Sequence, residues 1–315
     1  MNTIENKENK ENILTNTLVV TVLASFACIL WGSAFAVIKV GYRQLSISSS
    51  DTFSQIVFAG ARFFIAGFLT ILGGSIFRKK PLLPSRKFAP KILIISFFQT
   101  MLQYLCFYVG VAHTSGVKSS MINSLNAFIS ILIATLIFRL EKLTWKKIIG
   151  GLVGLAGVLI VTVGGKTIEG GFSLLGDGMV FCSGIAYGTS STLIKIFNRD
   201  SDADPVLISG WQFLFGSTVM IGIGLLLGGR MHFSGIGAFW ALLYLGALSA
   251  VAYTIWAILL KYNPVSRISI FSFVTPLGGV ILSGILLGEF GQILNPMSLL
   301  ALVLVCIGIV ILNKK

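Results

Sequence analysis

Residues 31–39 read WGSAFAVIK, and residues 187–195 read YGTSSTLIK. Both stretches begin with an aromatic residue and a glycine, continue with small or apolar residues, and end in Ile-Lys, 156 residues apart. A second similarity follows in each half, where NAFISILIATLIFRLE ends at Glu141 and VTPLGGVILSGILLGE ends at Glu289, 148 residues apart. The chain therefore contains an internal repeat, and this repeat decides how its fold is read.

The composition excludes a soluble globular protein. Of the 315 residues, 55% are hydrophobic and 11% are charged, and the mean hydropathy is +0.91, whereas about 25% of the residues of a soluble domain are charged. The four cysteines each stand alone in an apolar stretch, so we expect small core residues rather than disulfides or metal ligands. No motif for a cofactor or a metal ion is found.

The apolar stretches predict ten membrane spans, because a bilayer core requires about 20 residues of apolar helix. The predicted spans are 18–38, 53–77, 92–112, 117–138, 148–164, 174–194, 206–228, 236–260, 268–287 and 297–312. Pro-containing segments separate several of them, such as Asp204-Pro205 before span seven and Asn295-Pro296 before span ten. We therefore predict an all-α integral membrane protein with ten transmembrane helices.

The distribution of basic residues predicts the orientation of the chain. With the N-terminus in the cytoplasm, the cytoplasmic segments hold 18 of the 24 Lys and Arg residues and the outer segments hold five, while Arg62 lies within span two. This bias follows the positive-inside rule and places both termini in the cytoplasm. The net charge of +13 is then explained by topology and by contact with membrane lipids, so nucleic-acid binding is disfavoured.

One repeat is five spans long, so its second copy enters the membrane from the opposite side. The predicted organisation is a disordered cytoplasmic tail at 1–17, a first five-helix repeat at 18–165 and a second at 166–315. Inverted-topology repeats are typical of secondary transporters, because two such halves can open alternately to either side. The alternative is a gene duplication that enlarges the protein without providing alternating access.

The residues that carry these patterns resemble the EamA-domain transporters of the drug/metabolite transporter superfamily. The similarity rests on WGSAF in span one, on Ala61-Arg62-Phe63 in span two, and on Pro276, which precedes Glu289 by 13 residues. Phe128 departs from the pattern, because it stands where the first half would match Pro276. The resemblance implies a central cavity and the movement of amino acids or other small metabolites, often outward, across the bacterial plasma membrane.

Polar residues at mid-span depth are the candidates for substrate binding, because each costs free energy unless it is paired or faces a cavity. Asn123 and Asn126 share one face of span four, where they can bind a polar substrate or join two helices. Span three offers Gln99 and Gln103, four residues apart. These four amides are predicted to contribute to the substrate site.

Aromatic residues with polar tips are the second group of candidates. Tyr187 lies in span six, and Tyr253 and Trp256 lie in span eight. Such side chains stack on a ring or a cation and still present a hydrogen-bonding group. An interfacial aromatic belt is the alternative explanation, and it suits Trp240 and Tyr244 better than the deeper residues.

Charged residues within or at the ends of the spans are the third group. Arg62 lies near the middle of span two, where it can pair with a substrate carboxylate or bond to the backbone of a neighbouring helix. Glu141 and Glu289 occupy matching ends of spans four and nine, so we assign them to gating or coupling, with hydrogen bonding at the helix ends as the alternative. Because no carboxylate lies near the middle of a predicted span, coupling would use these two glutamates, Asp177 or His113. Otherwise, transport is uncoupled.

The function predicted from the sequence is a secondary transporter, not an enzyme, that exports amino acids or related small metabolites through the plasma membrane. A multidrug or lipid exporter of the same fold is the nearest alternative. A membrane-embedded enzyme acting on lipid-linked substrates is a second alternative. Such an enzyme would need a cluster of acidic residues, and the loops offer only Asp200, Asp202 and Asp204. The expected partners are a small-molecule substrate and membrane lipids, and the protein is expected to be a monomer or a homodimer.

Overall fold

A computed structural model describes most of the chain. The described residues are 13–123, 125–140, 142, 144–163, 171–197, 204–233, 235–263, 271, 274–288 and 296–313. Within these ranges, every regular element is helical. The predictions for Glu141, for Glu289 and for residues 1–12 of the tail lie outside the described residues.

The helices follow the apolar stretches of the sequence. They are α1 Thr17–Gln44, α2 Thr52–Arg78, α3 Ala89–Ala112, α4 Gly116–Ile137, α5 Trp145–Val163, α6 Leu174–Phe197, α7 Pro205–Leu226, α8 Ile236–Tyr262, α9 Val274–Leu287 and α10 Pro296–Asn313. In the described part of the chain, seven helices, namely α1–α4 and α6–α8, are long and apolar enough to cross a membrane. The described apolar stretches of α5 and α10 are shorter, so the count of ten spans stays a prediction.

Polar side chains cap the starts of α1 and α7, and the second of these starts was predicted from Asp204-Pro205. The Asn16 side chain accepts a hydrogen bond from Leu18 N at 2.9 Å at the start of α1. Asp204 accepts one from Val206 N at 3.1 Å, and Pro205 follows as the first residue of α7. Both side chains pair an amide that the first helical turn leaves without a carbonyl partner.

Three helices contain π-helical stretches that the sequence does not predict. These are Ser96–Leu102 within α3, Ile133–Ile137 at the end of α4 and Leu174–Gly178 at the start of α6. A π-helical stretch inserts an extra residue into a turn and changes which side chains face a neighbouring helix. Such stretches occur often near functional sites, and Gln99 lies in the one within α3.

Helices of each half of the chain pack mainly against helices of the other half. Helix α1 packs against α8 and α9, whereas α6 packs against α3 and α4. Helix α2 packs against α7, and α5 packs against α10. Small residues permit these contacts: a Cβ atom added to Gly67 would lie 2.7 Å from Leu214 N, and one added to Gly308 would lie 2.7 Å from Gly154 N.

Contacts at the helix ends show the directions of α1 and α8. Asn263, which follows α8, donates a hydrogen bond to Leu14 O at 2.8 Å, just before α1 begins. At the other end, His232 N donates to Leu45 O at 3.3 Å, where α1 ends and α8 is about to begin. Helices α1 and α8 are therefore antiparallel. We call the end of the bundle where α1 begins end A and the end where α1 finishes end B.

Helix α6 runs in the opposite direction to α1. Tyr42, near the end of α1, bonds to Tyr108 in the second half of α3, so α3 also finishes at end B. Thr114, which follows α3, donates to Asp177 in the first turn of α6 at 2.8 Å. Helix α6 therefore begins at end B and runs towards end A.

The buried apolar core differs between the two ends of the bundle. Towards end B, one cluster joins residues of α1, α2, α3, α7 and α8. Towards end A, the described buried residues form separate clusters, among them one on α1 and α8 around Val20 and Leu259, and one on α3, α6 and α7 around Ile92 and Ile208. Continuous packing therefore connects α1 and α8 with α3 and α7 on the end-B side.

Candidate functional site

An aromatic cluster lies where α1, α3, α7 and α8 meet. It consists of Trp31, Tyr104, Phe213, Tyr253 and Trp256. The Trp31 ring centroid lies 5.3 Å from that of Tyr253 and 5.0 Å from that of Trp256, and the Phe213 centroid lies 4.9 Å from that of Tyr253. The hydroxyl groups of Tyr104 and Tyr253 are hydrogen-bonded to each other. The cluster thus combines aromatic faces with polar tips at mid-span depth.

Tyr187 approaches this aromatic cluster from α6. Helix α6 packs against α3, which carries Tyr104. Trp31 and Tyr187 are half-buried, and they are the first residues of the two repeated stretches. The Trp31 Nε1 donor is buried and has no hydrogen-bond acceptor within the described residues. The predicted site residues Tyr253 and Trp256 therefore both contact Trp31, and Tyr187 lies on the helix that packs against α3.

Arg62 lies beside the aromatic cluster and is only 2% exposed. Its Nε and Nη2 atoms donate to Ser249 Oγ at 3.1 and 2.9 Å, Nε also donates to Leu245 O, and Nη1 donates to Tyr108 Oη at 2.8 Å. Its guanidinium carbon lies 4.8 Å from the centroid of the Phe63 ring. No carboxylate of the described residues forms an ion pair with it. The hydrogen-bond partners of the charged guanidinium are therefore hydroxyl groups and a backbone carbonyl, all of them neutral.

The two glutamines of α3 have different surroundings. Gln99 Oε1 accepts a hydrogen bond from Gln212 Nε2, so this side chain joins α3 to α7. Gln103 is 6% exposed, and its Oε1 atom has no donor among the described residues. An unpaired buried amide oxygen costs free energy, so Gln103 is the better candidate for a ligand.

The two asparagines of α4 lie at its contact with α6. Asn126 Nδ2 donates to Asn123 Oδ1 at 2.7 Å. A Cβ atom added to Gly184 of α6 would lie 2.5 Å from Asn126 Oδ1, which shows how closely this amide approaches the neighbouring helix. The hydrogen bond lies within α4, and Asn126 Oδ1, like Gln103 Oε1, is buried without a donor among the described residues. Asn126 is therefore also a candidate for a ligand.

An aromatic seal closes the bundle between the cluster and end B. We define this seal as Phe35 and Tyr42 of α1 with Phe107 and Tyr108 of α3. The ring centroids of Phe35 and Phe107 are 5.5 Å apart, and the Tyr42 hydroxyl donates to Tyr108 O at 3.0 Å. All four side chains are at least 93% buried. Arg62 supports the seal, because it donates to the Tyr108 hydroxyl.

A buried ion pair joins α4 to α6 at end B. Lys118 Nζ lies 2.8 Å from Asp177 Oδ2, and the side chains are 3% and 1% exposed. Asp177 also accepts hydrogen bonds from Thr114 Oγ1 and Ser173 N. The sequence drew attention to Asp177 but gave no sign of Lys118, because the two residues are distant in the chain.

A separate groove of about 520 Å³ lies between α1, α8 and α9 on the end-B side. Its lining is apolar except for Ser33 and Tyr244, whose hydroxyl groups are hydrogen-bonded to each other at 2.7 Å. Ile29 and Leu286 on its walls are about half exposed on the outer surface. The groove offers a polar metabolite little to bind, so the candidate site remains the aromatic cluster.

Sequence reasoning missed several residues of this region. Trp31, Phe107, Phe213 and Gln212 were not among the predicted site residues. The available signal was the position of Trp31, which begins the first repeated stretch just as Tyr187 begins the second. Phe213 and Gln212 carry no comparable signal, because their roles arise from contacts with α3 and α8.

The sequence profile of the EamA-like transporter family matches residues 19–163 and again residues 174–314. The chain belongs to the EamA-like transporter family. It is therefore a multi-pass membrane transporter of the drug/metabolite transporter superfamily. The double match covers nearly the whole chain and agrees with the repeat seen in the sequence.

Two relatives are similar to this EamA-like transporter over almost their full lengths. An uncharacterized transporter of Archaeoglobus fulgidus is 25% identical over 93% of this chain and 98% of its own. A probable amino-acid metabolite efflux pump of Salmonella typhimurium is 25% identical over 92% of this chain and 93% of its own. A solved crystal structure with 17% identity covers 94% of this chain and 96% of its own with a TM-score of 0.63, which supports the fold.

Proposed function

We propose that this EamA-like transporter exports amino acids or related small metabolites across the plasma membrane by alternating access. The two halves, 18–165 and 166–315, are the inverted repeats, and both termini lie in the cytoplasm. End A is then the cytoplasmic end and end B the outer end. The aromatic cluster, together with Tyr187, Gln103 and the charge of Arg62, forms the substrate site.

The packing of α2 against α7 supports a two-fold relationship between the halves. A Cβ atom on Gly67 would lie 2.9 Å from Gly210 O, and one on Gly60 would lie 3.1 Å from Ser217 O. Both members of the first contact map onto the second when positions 150 residues apart are exchanged. Antiparallel helices related in this way are expected of inverted repeats.

Two aromatic contacts fall where the axis of such a relationship would pass. Phe63 and Phe213, 150 residues apart, stack with centroids 5.2 Å apart. Tyr104 and Tyr253, 149 residues apart, bond to each other through their hydroxyl groups. Matching residues can touch each other only near the axis, and a substrate reached from both sides must bind there.

The charge of Arg62 is the observation that carries the choice of substrate class. A buried guanidinium without a carboxylate partner in the described structure favours a ligand that brings a negative group. At roughly 8 Å and an effective dielectric constant of about 20, two unit charges interact by about 2 kcal/mol. The same charge opposes lipophilic cations, so we favour carboxylate-bearing metabolites over multidrug export. The name of the Salmonella typhimurium relative agrees with this choice.

The test compares ligands that differ only in their carboxylate. Purified protein is screened by thermal shift with phenylalanine and with phenethylamine, and counterflow of the same pair is then measured in liposomes. We expect stabilisation and flux with the amino acid and little of either with the amine. Preference for the amine would contradict the substrate class, and absence of flux with every small metabolite tested would contradict transport.

Two arginine variants sharpen this comparison. Arg62→Gln removes the charge, and glutamine already occupies the matching position 212 in α7. We expect this variant to lose most of the discrimination between the two ligands. Arg78→Gln is the matched control, because Arg78 also lies on α2 but is partly exposed and pairs with Asp204 at end A. It should discriminate as the wild type does.

A further inference from the structure

The end-B seal has counterparts at end A under the repeat relationship, and this inference rests on the proposed inverted repeat. Positions 156 residues apart correspond in α1 and α6, so Phe35 corresponds to Ser191. Positions 149 residues apart correspond in α3 and α8, so Phe107 corresponds to Trp256. The contact of Phe35 with Phe107 therefore has Ser191 and Trp256 as its counterpart.

The two contacts are in different states in the structure. Phe35 and Phe107 pack edge to face and are both buried in the cluster that closes end B. Trp256 instead packs against Trp31 and belongs to the apolar cluster of α1 and α8. Ser191 is half-buried on α6, and among the described residues the apolar cluster of α3, α6 and α7 is separate from that of α1 and α8. In the described part of the chain, the structure is therefore sealed at end B and divided at end A.

We propose that Trp256 is the gate residue of end A. When the transporter changes state, the Trp256 indole leaves Trp31 and packs on α6 beside Ser191. In the same change, the Phe107 ring leaves Phe35 and packs on Tyr187, which is the counterpart of Trp31. The two rings thus exchange partners that correspond under the repeat. The seal at end B and the gate at end A are built from corresponding positions of the two repeats.

The end-B seal and the end-A gate differ in strength because the repeats differ in sequence. The end-B seal pairs two aromatic rings, whereas at end A the Trp256 indole meets Ser191. An aromatic pair adds to the contact beyond simple burial, and its loss changes the balance of two states by about fivefold. The state sealed at end B, which is the one seen here, is therefore the favoured resting state.

The test introduces an aromatic ring at position 191, where the first repeat has Phe35 at the corresponding position. Ser191→Phe is expected to stabilise the state that is sealed at end A and open at end B. The reporter is Val111→Cys, at a fully buried position of α3 near end B, in a chain whose four native cysteines are replaced. In nanodiscs, we expect an impermeant maleimide to label this cysteine about fivefold faster in the Ser191→Phe protein than in its parent.

Two further variants separate gating from a general disturbance. Thr189→Phe adds the same ring to α6 two residues away, at a position hydrogen-bonded only to its own helix in the described residues, and should leave the labelling rate unchanged. Interchange of the pair, Phe35→Ser with Ser191→Phe, should raise labelling further than Ser191→Phe alone. Thermal unfolding and gel filtration confirm that each variant is folded.

The outcomes also distinguish this proposal from the proposed function. If folded Ser191→Phe and Thr189→Phe proteins label at the same rate while wild-type counterflow persists, the Trp256 gate is wrong and the transporter stands. If the parent protein shows no counterflow and no ligand alters labelling of the Val111→Cys reporter, alternating access itself fails. Faster labelling in the Ser191→Phe and interchanged proteins alone supports the gate.

Discussion

Arg62 of α2 bonds Ser249 of α8 through two nitrogen atoms, Nε at 3.1 Å and Nη2 at 2.9 Å. The same guanidinium donates to the Tyr108 hydroxyl of α3 at 2.8 Å. One side chain thus joins three helices at the level of the aromatic cluster and adds a positive charge there. Its structural and electrostatic roles are separable by substitution.

Replacement of Arg62 by alanine is expected to destabilise the protein strongly. The substitution leaves Tyr108 Oη and Ser249 Oγ without their partner in a buried region, and hydrogen bonds to charged groups contribute about 2 kcal/mol each. The midpoint of thermal unfolding in detergent should fall clearly for Arg62→Ala and much less for Arg62→Gln, which retains a donor. Equal midpoints for the two variants would contradict the structural role.

A side chain at Gly32 is expected to separate α1 from α9. A Cβ atom there would lie 2.7 Å from Gly279 N and 2.8 Å from Thr275 O, both backbone atoms that cannot rotate away. Gly32→Val should therefore lower the unfolding midpoint by several degrees. Gly73→Val is the control, since no atom of the described residues, apart from its chain neighbours and its own helix backbone, lies within 4 Å of its added Cβ position. A similar loss in both variants would show that helix propensity, rather than contact, is responsible.

Removal of one charge from the Lys118–Asp177 pair is expected to be costly. A buried charge that loses its partner destabilises a protein by about 3–5 kcal/mol, whereas a partly exposed pair contributes less than about 1 kcal/mol. Asp177→Asn should therefore lower thermal stability far more than Asp204→Asn, which breaks the more exposed pair with Arg78. The double variant Lys118→Gln with Asp177→Asn should regain stability, as both charges are gone.

Opposite labelling of two lysine positions tests the inverted repeat. Lys39 and Lys195 end the two repeated stretches, and α1 and α6 run in opposite directions. Single cysteines at these positions, in a chain without other cysteines, should react with an impermeant reagent from opposite sides of oriented vesicles. Labelling of both from one side would exclude the proposed topology.

Much of the helical organisation can be predicted from the sequence because it depends on local properties. Helix α7 was predicted at 206–228 and is observed at Pro205–Leu226, since Asp204 and Pro205 define its start without help from other helices. The π-helical stretch Ser96–Leu102 could not be predicted in this way. Its backbone geometry depends on packing against α7, where Ser96 Oγ donates to Gln212 O at 2.9 Å.

The candidate site was only partly predictable for the same reason. Tyr253 and Trp256 were recognised because their side chains can stack on a ring or a cation and still present a hydrogen-bonding group. Gln99 was proposed as a substrate ligand, yet in the structure its side chain accepts a hydrogen bond from Gln212, 113 positions further along the chain. A single sequence carries no record of such pairings, because they require two helices to lie side by side.

A helical membrane protein with an internal repeat, and the positions of its apolar stretches and of the basic residues between them, could be predicted from the amino-acid sequence alone. These features follow from hydropathy, helix length and charge, which act over short stretches of chain. The meeting of Trp31, Tyr104 and Tyr253, the Lys118–Asp177 ion pair and the seal at end B became visible only in the folded protein. Such contacts join residues far apart in sequence, and their free energy depends on distance and burial, which exist only once the helices have packed.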